Sequence, residues 1–151
     1  MANIRAPHTL HELNIMATMA AAMCFESPRY SVRTISADRI LETLKLLDKA
    51  GAFLRVYEDE DGISGIMVGS VAPYLCGPEF YACDLILYVK PEKRGTRAAI
   101  TLVKEFEKWA TDLGVAEVML GTSTGIAAEK TACLYQRLGY SPVSKGFSKG
   151  V

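Results

Sequence analysis

Residues 85 to 113 constrain the fold of this chain more than any other part of the sequence. The apolar run at residues 85–89 is typical of a strand, and Pro91 ends it because proline cannot continue a strand ladder. Beyond a glycine-containing turn, apolar residues recur at helical spacing on one face: Ala99, Leu102, Val103, Phe106, Ala110 and Leu113. We therefore predict a strand that passes through a short turn into a long amphipathic helix.

The turn between this strand and this helix is basic. Lys90, Lys93, Arg94 and Arg97 place four cationic side chains within eight residues. The first N–H groups of a helix have no intrahelical partners, and the helix dipole adds partial positive charge at that end. Such a junction is suited to hold phosphate groups. A solvated charge cluster at a sheet edge is the alternative interpretation.

Composition limits the kinds of partner. The chain has 151 residues, of which 50% are hydrophobic and 23% charged, and its 17 basic residues balance 17 acidic ones. This length and composition predict one globular domain over residues 1–151. Because a neutral protein has no long-range positive field, we expect neither nucleic acid nor a membrane as a partner. The basic turn instead suits a small anionic ligand.

Cysteine usage and hydropathy favour a cytoplasmic protein. Cys24, Cys76, Cys83 and Cys133 are widely spread, without the C-x-x-C spacing of metal and redox sites, so we expect free thiols and no bound metal. The apolar run at residues 16–24 is too short to span a bilayer and lacks a signal-peptide arrangement.

Hydrophobic periodicity predicts the remaining elements. We predict strands at residues 3–5, 52–57, 63–71, 81–89, 117–120 and 140–147, and helices at residues 7–23, 37–50, 99–113 and 127–138. Runs of strands and helices in this order indicate an α+β domain with a mixed, mainly antiparallel sheet. The acidic residues 58–61 form a solvated hairpin turn in this interpretation, rather than a calcium site.

Two segments on these elements resemble the GCN5-related N-acetyltransferase (GNAT) superfamily. The first is the V-x-P-E-x-R-G turn, and the second is the L-Y-x-x-L-G-Y segment at residues 134–140. In the family pattern R/Q-x-x-G-x-G/A, Arg94 takes the first place and Ala99 the last, while Arg97 stands where the family has glycine. Ala128 likewise replaces a frequent asparagine. The version R-G-x-R-A-A resembles that of phage-encoded relatives. The resemblance implies a mainly antiparallel central sheet with helices on both faces.

The resemblance also implies an acetyl-CoA-dependent N-acetyltransferase that transfers acetyl directly to an amine acceptor in a ternary complex. The pyrophosphate would contact the turn and helix start, and the pantetheine arm and thioester carbonyl would contact main-chain groups of the preceding strand. The implied turn residues are Arg94, Gly95, Thr96, Arg97, Ala98 and Ala99, and the implied strand residues are Leu87, Tyr88 and Val89. The Val89 N–H is the expected oxyanion donor. The cysteines form no nucleophile arrangement, which argues against a covalent acetyl-enzyme.

Three side chains are candidate acids or bases. Tyr135 is the expected general acid toward the leaving thiolate, with a buried core aromatic as the alternative. Asp84 and Glu79 are candidate bases beside the acceptor site, with structural or solvated carboxylates as the alternative. Candidate acceptor-site residues are Glu26, Arg29, Tyr30, Tyr74, Glu79 and Tyr81. Arg29 is a candidate contact for a carboxylate or phosphate of the acceptor, with a surface arginine as the alternative.

A second hypothesis is a catalytically inactive GNAT-like binding or structural module. The arginine at position 97 and the absence of an evident base favour it. Apolar strands near the C-terminus suggest a homodimer.

Overall fold

The computed structural model describes residues 1–151, and its centre is one five-stranded sheet. The strands run in the order β1-β2-β3-β4-β5, with antiparallel pairing throughout except for the parallel pair of β4 and β5. Their bounds are Asn3–Arg5 (β1), Phe53–Asp59 (β2), Gly62–Pro73 (β3), Phe80–Val89 (β4) and Glu117–Met119 (β5). The predicted mixed, mainly antiparallel sheet is confirmed.

Four α-helices cover both faces of this sheet, as predicted. They are Leu10–Glu26 (α1), Ala37–Lys49 (α2), Ala98–Leu113 (α3) and Ala128–Arg137 (α4), and a short 3₁₀ turn occupies Pro91–Lys93. Residues of α1 and α2 form one buried cluster with alternate side chains of β2 and β3. Residues of α3 and α4 form a second cluster on the opposite face, centred on Phe53, Met67 and Phe106. Because side chains alternate along a strand, β3 is buried on both faces from Ile63 to Gly69.

Helix boundaries follow the capping residues. Ser36 caps α2, because its hydroxyl accepts a hydrogen bond from the Arg39 N–H at 3.2 Å. The first helix begins at Leu10 rather than near Pro7, because the Thr9 hydroxyl accepts the Glu12 N–H at 3.2 Å. None of the helices combines the length and the apolar character that crossing a bilayer requires.

The fourth strand bends where the site begins. Val68 pairs with Ile86 and Gly69 with Asp84, so Leu85 is an extra residue on β4 and forms a β-bulge. Bulges bend a strand and increase its twist. The parallel pairing with β5 involves only the first part of β4, ending at Cys83. Beyond the bulge, one edge of β4 is therefore left without a partner strand.

The predicted final strand at residues 140–147 is wrong. Residues 141–151 are exposed and form no regular element, and Val143 and Phe147 are 72% and 90% exposed. The alternation of apolar residues in this segment is broken by Pro142, Lys145 and Gly146, so no continuous apolar face is available to pack on the sheet. The expectation of a homodimer was based on apolar strands near the C-terminus, and residues 140–147 do not form such a strand.

Candidate active site

A cavity of about 250 Å³ opens where β4 separates from β5. Its walls are the second half of β4, residues 121–127 after β5, and the inner face of α4. Most of the lining is apolar or main chain, and Asp84 and Arg94 are the charged residues among it. The sheet opening therefore forms a cleft with two ionic groups.

Main-chain groups of β4 face this cleft on alternate residues. The Lys90 N–H donates to the Ser64 carbonyl of β3 at 2.9 Å. In an antiparallel ladder this pattern repeats every second residue, so Tyr88 also bonds to β3. Leu87 and Val89, in between, direct their N–H groups toward the free edge. Of the three strand residues expected to contact the coenzyme, Tyr88 therefore has its main-chain groups engaged elsewhere.

The start of α3 presents several unpaired N–H groups. Gly95 has a φ of 81°, which places it in the left-handed region that glycine tolerates. The Thr96 hydroxyl accepts the Ala98 N–H at 3.3 Å. Five other N–H groups around the junction make no backbone or side-chain hydrogen bond, those of Gly95, Thr96, Arg97, Ala99 and Ile100. Unpaired N–H groups at a helix start are suited to hold an anion.

Arg94 is held beside the cleft by an ion pair with α1. Its two terminal nitrogens donate to the two Glu26 carboxylate oxygens at 2.5 and 2.7 Å, and its Nε donates to the Val89 carbonyl at 3.0 Å. Arg94 also holds the pKa of the Glu26 carboxyl below its usual value. Arg94, an expected phosphate contact, is thus already paired with the Glu26 carboxylate.

The other cations of the turn make different ion pairs from Arg94, or none. Lys93 pairs with Asp59 and Asp61 of the acidic β2–β3 turn, at 3.2 and 2.5 Å. Arg97 is exposed, makes no ion pair, and has an ordinary helical φ of −78°. An arginine in place of the family glycine therefore introduces no backbone strain. Lys90 also makes no ion pair, but Arg97 is the unpaired cation that directly precedes α3.

Asp84 and Tyr135 both contact the main chain of Gly121. The Gly121 N–H donates to the Asp84 carboxylate at 2.9 Å, and the Tyr135 hydroxyl lies 3.5 Å from the Gly121 carbonyl oxygen. Burial raises the pKa of Asp84 to about 6, and the Gly121 hydrogen bond opposes that shift. Burial, with the nearby Asp84 charge, raises the pKa of Tyr135 well above its usual value. The cleft therefore holds a carboxylate that ionises near neutrality beside a phenol that stays protonated.

Glu79 lies away from this pair. It is exposed, precedes the first residue of β4, and is not part of the cavity wall. Tyr74 and Tyr81 lie at the same end of the sheet, with ring centroids 5.0 Å apart, and the Tyr74 hydroxyl bonds to Glu117. The predicted acceptor-site residues are thus divided between two separate regions.

The other three predicted acceptor residues, Glu26, Arg29 and Tyr30, are not part of the cavity wall, but Glu26 and Arg29 contact residues of that wall. Glu26 ends α1, and the loop that follows is joined to the cavity wall by Ser27, whose hydroxyl donates to the Thr124 carbonyl. Arg29 donates from Nη1 to the Ser123 carbonyl at 3.3 Å and lies over the Tyr30 ring. Sequence reasoning missed Ser27 and Gly121, because contacts between residues so distant in sequence have no local pattern.

These features describe a cleft in a mixed sheet whose fourth and fifth strands separate. The family model described as "Acetyltransferase (GNAT) family" matches residues 17–140. The chain belongs to this family. The family transfers acyl groups to amines, and the chain is an N-acetyltransferase in that general sense.

Solved structures share the fold over the whole chain. The GCN5-related N-acetyltransferase of Ralstonia eutropha JMP134 is 22% identical, with a TM-score of 0.75 and coverage of 100% of this chain and 99% of that one. A transcriptional regulator from Bacillus halodurans C-125 is 18% identical, with a TM-score of 0.80 and full coverage of both chains. Ribosomal-protein-alanine N-acetyltransferase of Brucella melitensis biovar Abortus 2308 is 16% identical, with a TM-score of 0.74 and coverage of 100% and 99%. No curated protein sequence matches the chain.

Proposed function

We propose that the protein is an acetyl-CoA-dependent N-acetyltransferase in which the amine acceptor attacks directly in a ternary complex. The observation that supports it most is one cleft that combines a free strand edge with the Asp84–Gly121–Tyr135 arrangement. The cleft extends to Ala99, one of the residues with an unpaired N–H at the start of α3. No cysteine lines that cleft, so the residues offer no thiol for a covalent acetyl-enzyme.

The residues suit two parts of acetyl-CoA, the pyrophosphate and the pantetheine arm. The unpaired N–H groups from Gly95 to Ile100, with the Arg97 guanidinium, would hold the pyrophosphate. The free edge of β4 would hold the amide-containing pantetheine arm by strand-like hydrogen bonds. Arg94 would order the turn through its bond to Glu26.

The thioester of acetyl-CoA would supply the activated acetyl group. The Val89 N–H, which faces away from β3, would donate to the thioester carbonyl oxygen as negative charge develops there. Preorganised donors of this kind do not need to reorient during reaction, which is why a main-chain N–H on a buried strand suits the role.

Asp84 and Tyr135 would handle the two protons. With a pKa of about 6, Asp84 is ionised above neutral pH and can accept a proton from the ammonium form of the acceptor. Tyr135 stays protonated because burial disfavours its phenolate, so it can donate to the departing thiolate. Glu79, outside the cavity, has no part in this scheme.

Tyr135→Phe tests the acid role. We expect kcat to fall by about 10²-fold, the scale of general acid catalysis, while the acetyl-CoA dissociation constant stays unchanged. Tyr140→Phe is the matched control, because its ring lies 6.0 Å from that of Tyr135 but its hydroxyl bonds to Glu107. Equal kcat for Tyr135→Phe and wild type would remove Tyr135 as the acid.

A non-catalytic module that binds no coenzyme is the alternative, and the Arg94–Glu26 pair favours it because it engages one expected phosphate contact. A thermal-shift measurement with millimolar acetyl-CoA separates the two. Binding to the folded state must raise the unfolding midpoint, and an unchanged midpoint would support the module.

A further inference from the structure

We propose that Arg29 selects amine acceptors that carry a carboxylate group several bonds from the amine. This proposal rests on the proposed function, because it places the amine at Asp84. Arg29 would bind the acceptor carboxylate at the rim of the cleft and make no contact with the reacting atoms.

The position of Arg29 is set by the loop that follows α1. Ser27 is fully buried, and its hydroxyl donates to Thr124 and accepts the N–H groups of Arg29 and Tyr30, both at 3.2 Å. Arg29 then reaches Ser123, a residue of the cavity wall, while its guanidinium carbon lies 5.0 Å from the centroid of the Tyr30 ring. The guanidinium is therefore anchored at the rim.

The charges around the rim leave Arg29 as an uncompensated cation. Arg94 is neutralised by Glu26, whereas Arg29 makes no ion pair with any carboxylate. Residues 27–36 contain a second arginine, Arg33, and no acidic residue. A guanidinium with free donors in this setting binds a carboxylate through two parallel hydrogen bonds. An acceptor with several positive charges would be repelled by the same loop.

The chain that connects the contacts of Asp84 and Arg29 places an upper limit on the length of the acceptor. Asp84 bonds to the N–H of Gly121, and Arg29 bonds to the carbonyl of Ser123, so three residues of chain connect the two contacts. An extended segment of that length spans up to about 11 Å, and the hydrogen bonds to Asp84 and Arg29 add 2.9 and 3.3 Å to this upper limit. An ω-amino acid with a chain of several methylenes, or a short peptide with an acidic side chain, has its amine and carboxylate at distances within that limit.

The test compares acceptors that differ only in the carboxylate. The small-molecule arm uses 6-aminohexanoate and 6-aminohexanamide, and the peptide arm uses Ala-Gly-Asp-amide and Ala-Gly-Asn-amide. We expect wild type to prefer the anionic member by about tenfold in kcat/KM in at least one arm, the scale of a partly exposed charged hydrogen bond. The arm with the preference identifies the source of the carboxylate.

Two variants separate a direct contact of Arg29 with the acceptor carboxylate from a general effect of positive charge in the loop after α1. Arg29→Gln should abolish the preference, so that kcat/KM for the anionic and neutral acceptors becomes equal to within about twofold. Arg33→Gln removes the same charge from the same loop and should keep the preference. Equal rates for the anionic and neutral acceptors in both arms, or a preference that survives Arg29→Gln, would overturn the proposal.

A binding measurement keeps this proposal separate from the proposed function. Calorimetric titration of 6-aminohexanoate and Ala-Gly-Asp-amide, each against its neutral counterpart, should detect tighter binding of an anionic probe to wild type and the loss of that difference in Arg29→Gln. That result without acetylation of any probe would refute the proposed function and still support the Arg29 contact. Equal affinities of wild type and Arg29→Gln for the anionic probes would refute the contact, whether or not acetylation occurs.

Discussion

Replacing Asp84 with asparagine should make the protein more stable at neutral pH. Burial raises the pKa of Asp84 from 3.8 to about 6, so the folded state holds this proton more tightly than the unfolded chain. The contribution of protonated Asp84 to the free energy of unfolding is fully present below pH 3.8 and is lost as pH rises through 6. At about 1.4 kcal/mol per pKa unit, ionised Asp84 costs the folded state about 3 kcal/mol at pH 8. Asparagine keeps an oxygen that can accept the Gly121 N–H and carries no charge.

Urea unfolding of wild type and Asp84→Asn between pH 4 and pH 8 measures this effect. The difference in unfolding free energy should be near zero at pH 4 and rise to about 2–3 kcal/mol in favour of the variant by pH 8. Other titrating groups cancel in the difference. Glu79→Gln is the control, because Glu79 is an exposed carboxylate beside the same strand, and its difference should stay near zero throughout. A pH-independent difference, or a variant less stable than wild type at pH 8, would refute the reasoning.

The same variant should lose activity while it gains stability. A positioned general base contributes about 10²–10⁴-fold to rate, so kcat should fall by that scale. A carboxylate retained only for structure would give the opposite result, with stability lost and any activity of the folded fraction unchanged. Wild-type kcat in Asp84→Asn would remove Asp84 as the base.

Two substitutions test the packing around the site. Gly69→Ala should destabilise the fold by about 3 kcal/mol in the same urea assay, because the added Cβ would lie 2.4 Å from the buried Phe106 ring. Gly77→Ala is the control, because Gly77 has open space around it, and it should have little effect. Ala127→Gly should raise the unfolding free energy by about 0.5–1 kcal/mol, because Ala127 precedes α4 with a left-handed φ of 44°. A lower midpoint of thermal unfolding in calorimetry would contradict this prediction.

The sequence predicted those parts of the fold that depend on local periodicity. Apolar residues at helical spacing predicted α3, and the strand–turn–helix junction at residues 85–99 was confirmed in position. The final strand was wrong because a few apolar residues near the C-terminus do not form a continuous face. The start of α1 was misplaced because the Thr9 cap outweighs the tolerance of helices for Pro7 near their start.

The site was predictable only in part, for a physical reason. Arg94, Asp84 and Tyr135 were candidates because their residue types and motifs carry chemistry, and all three line the cavity. What each contacts depends on tertiary structure. The Glu26 partner of Arg94 is 68 positions away. Gly121, whose main chain contacts both Asp84 and Tyr135, has no side chain that a sequence pattern could single out.

Calorimetric titration of acetyl-CoA into wild type, Arg97→Glu and Lys104→Glu tests the central claim most directly. Arg97 and Lys104 are exposed residues without ion pairs, seven positions and about 10 Å apart along α3. The account predicts binding of one acetyl-CoA per chain, weakened at least about tenfold by Arg97→Glu, which reverses the charge at the anion site, and unchanged by Lys104→Glu. Absence of binding to wild type at millimolar coenzyme, or equal affinities of wild type and Arg97→Glu, would contradict it.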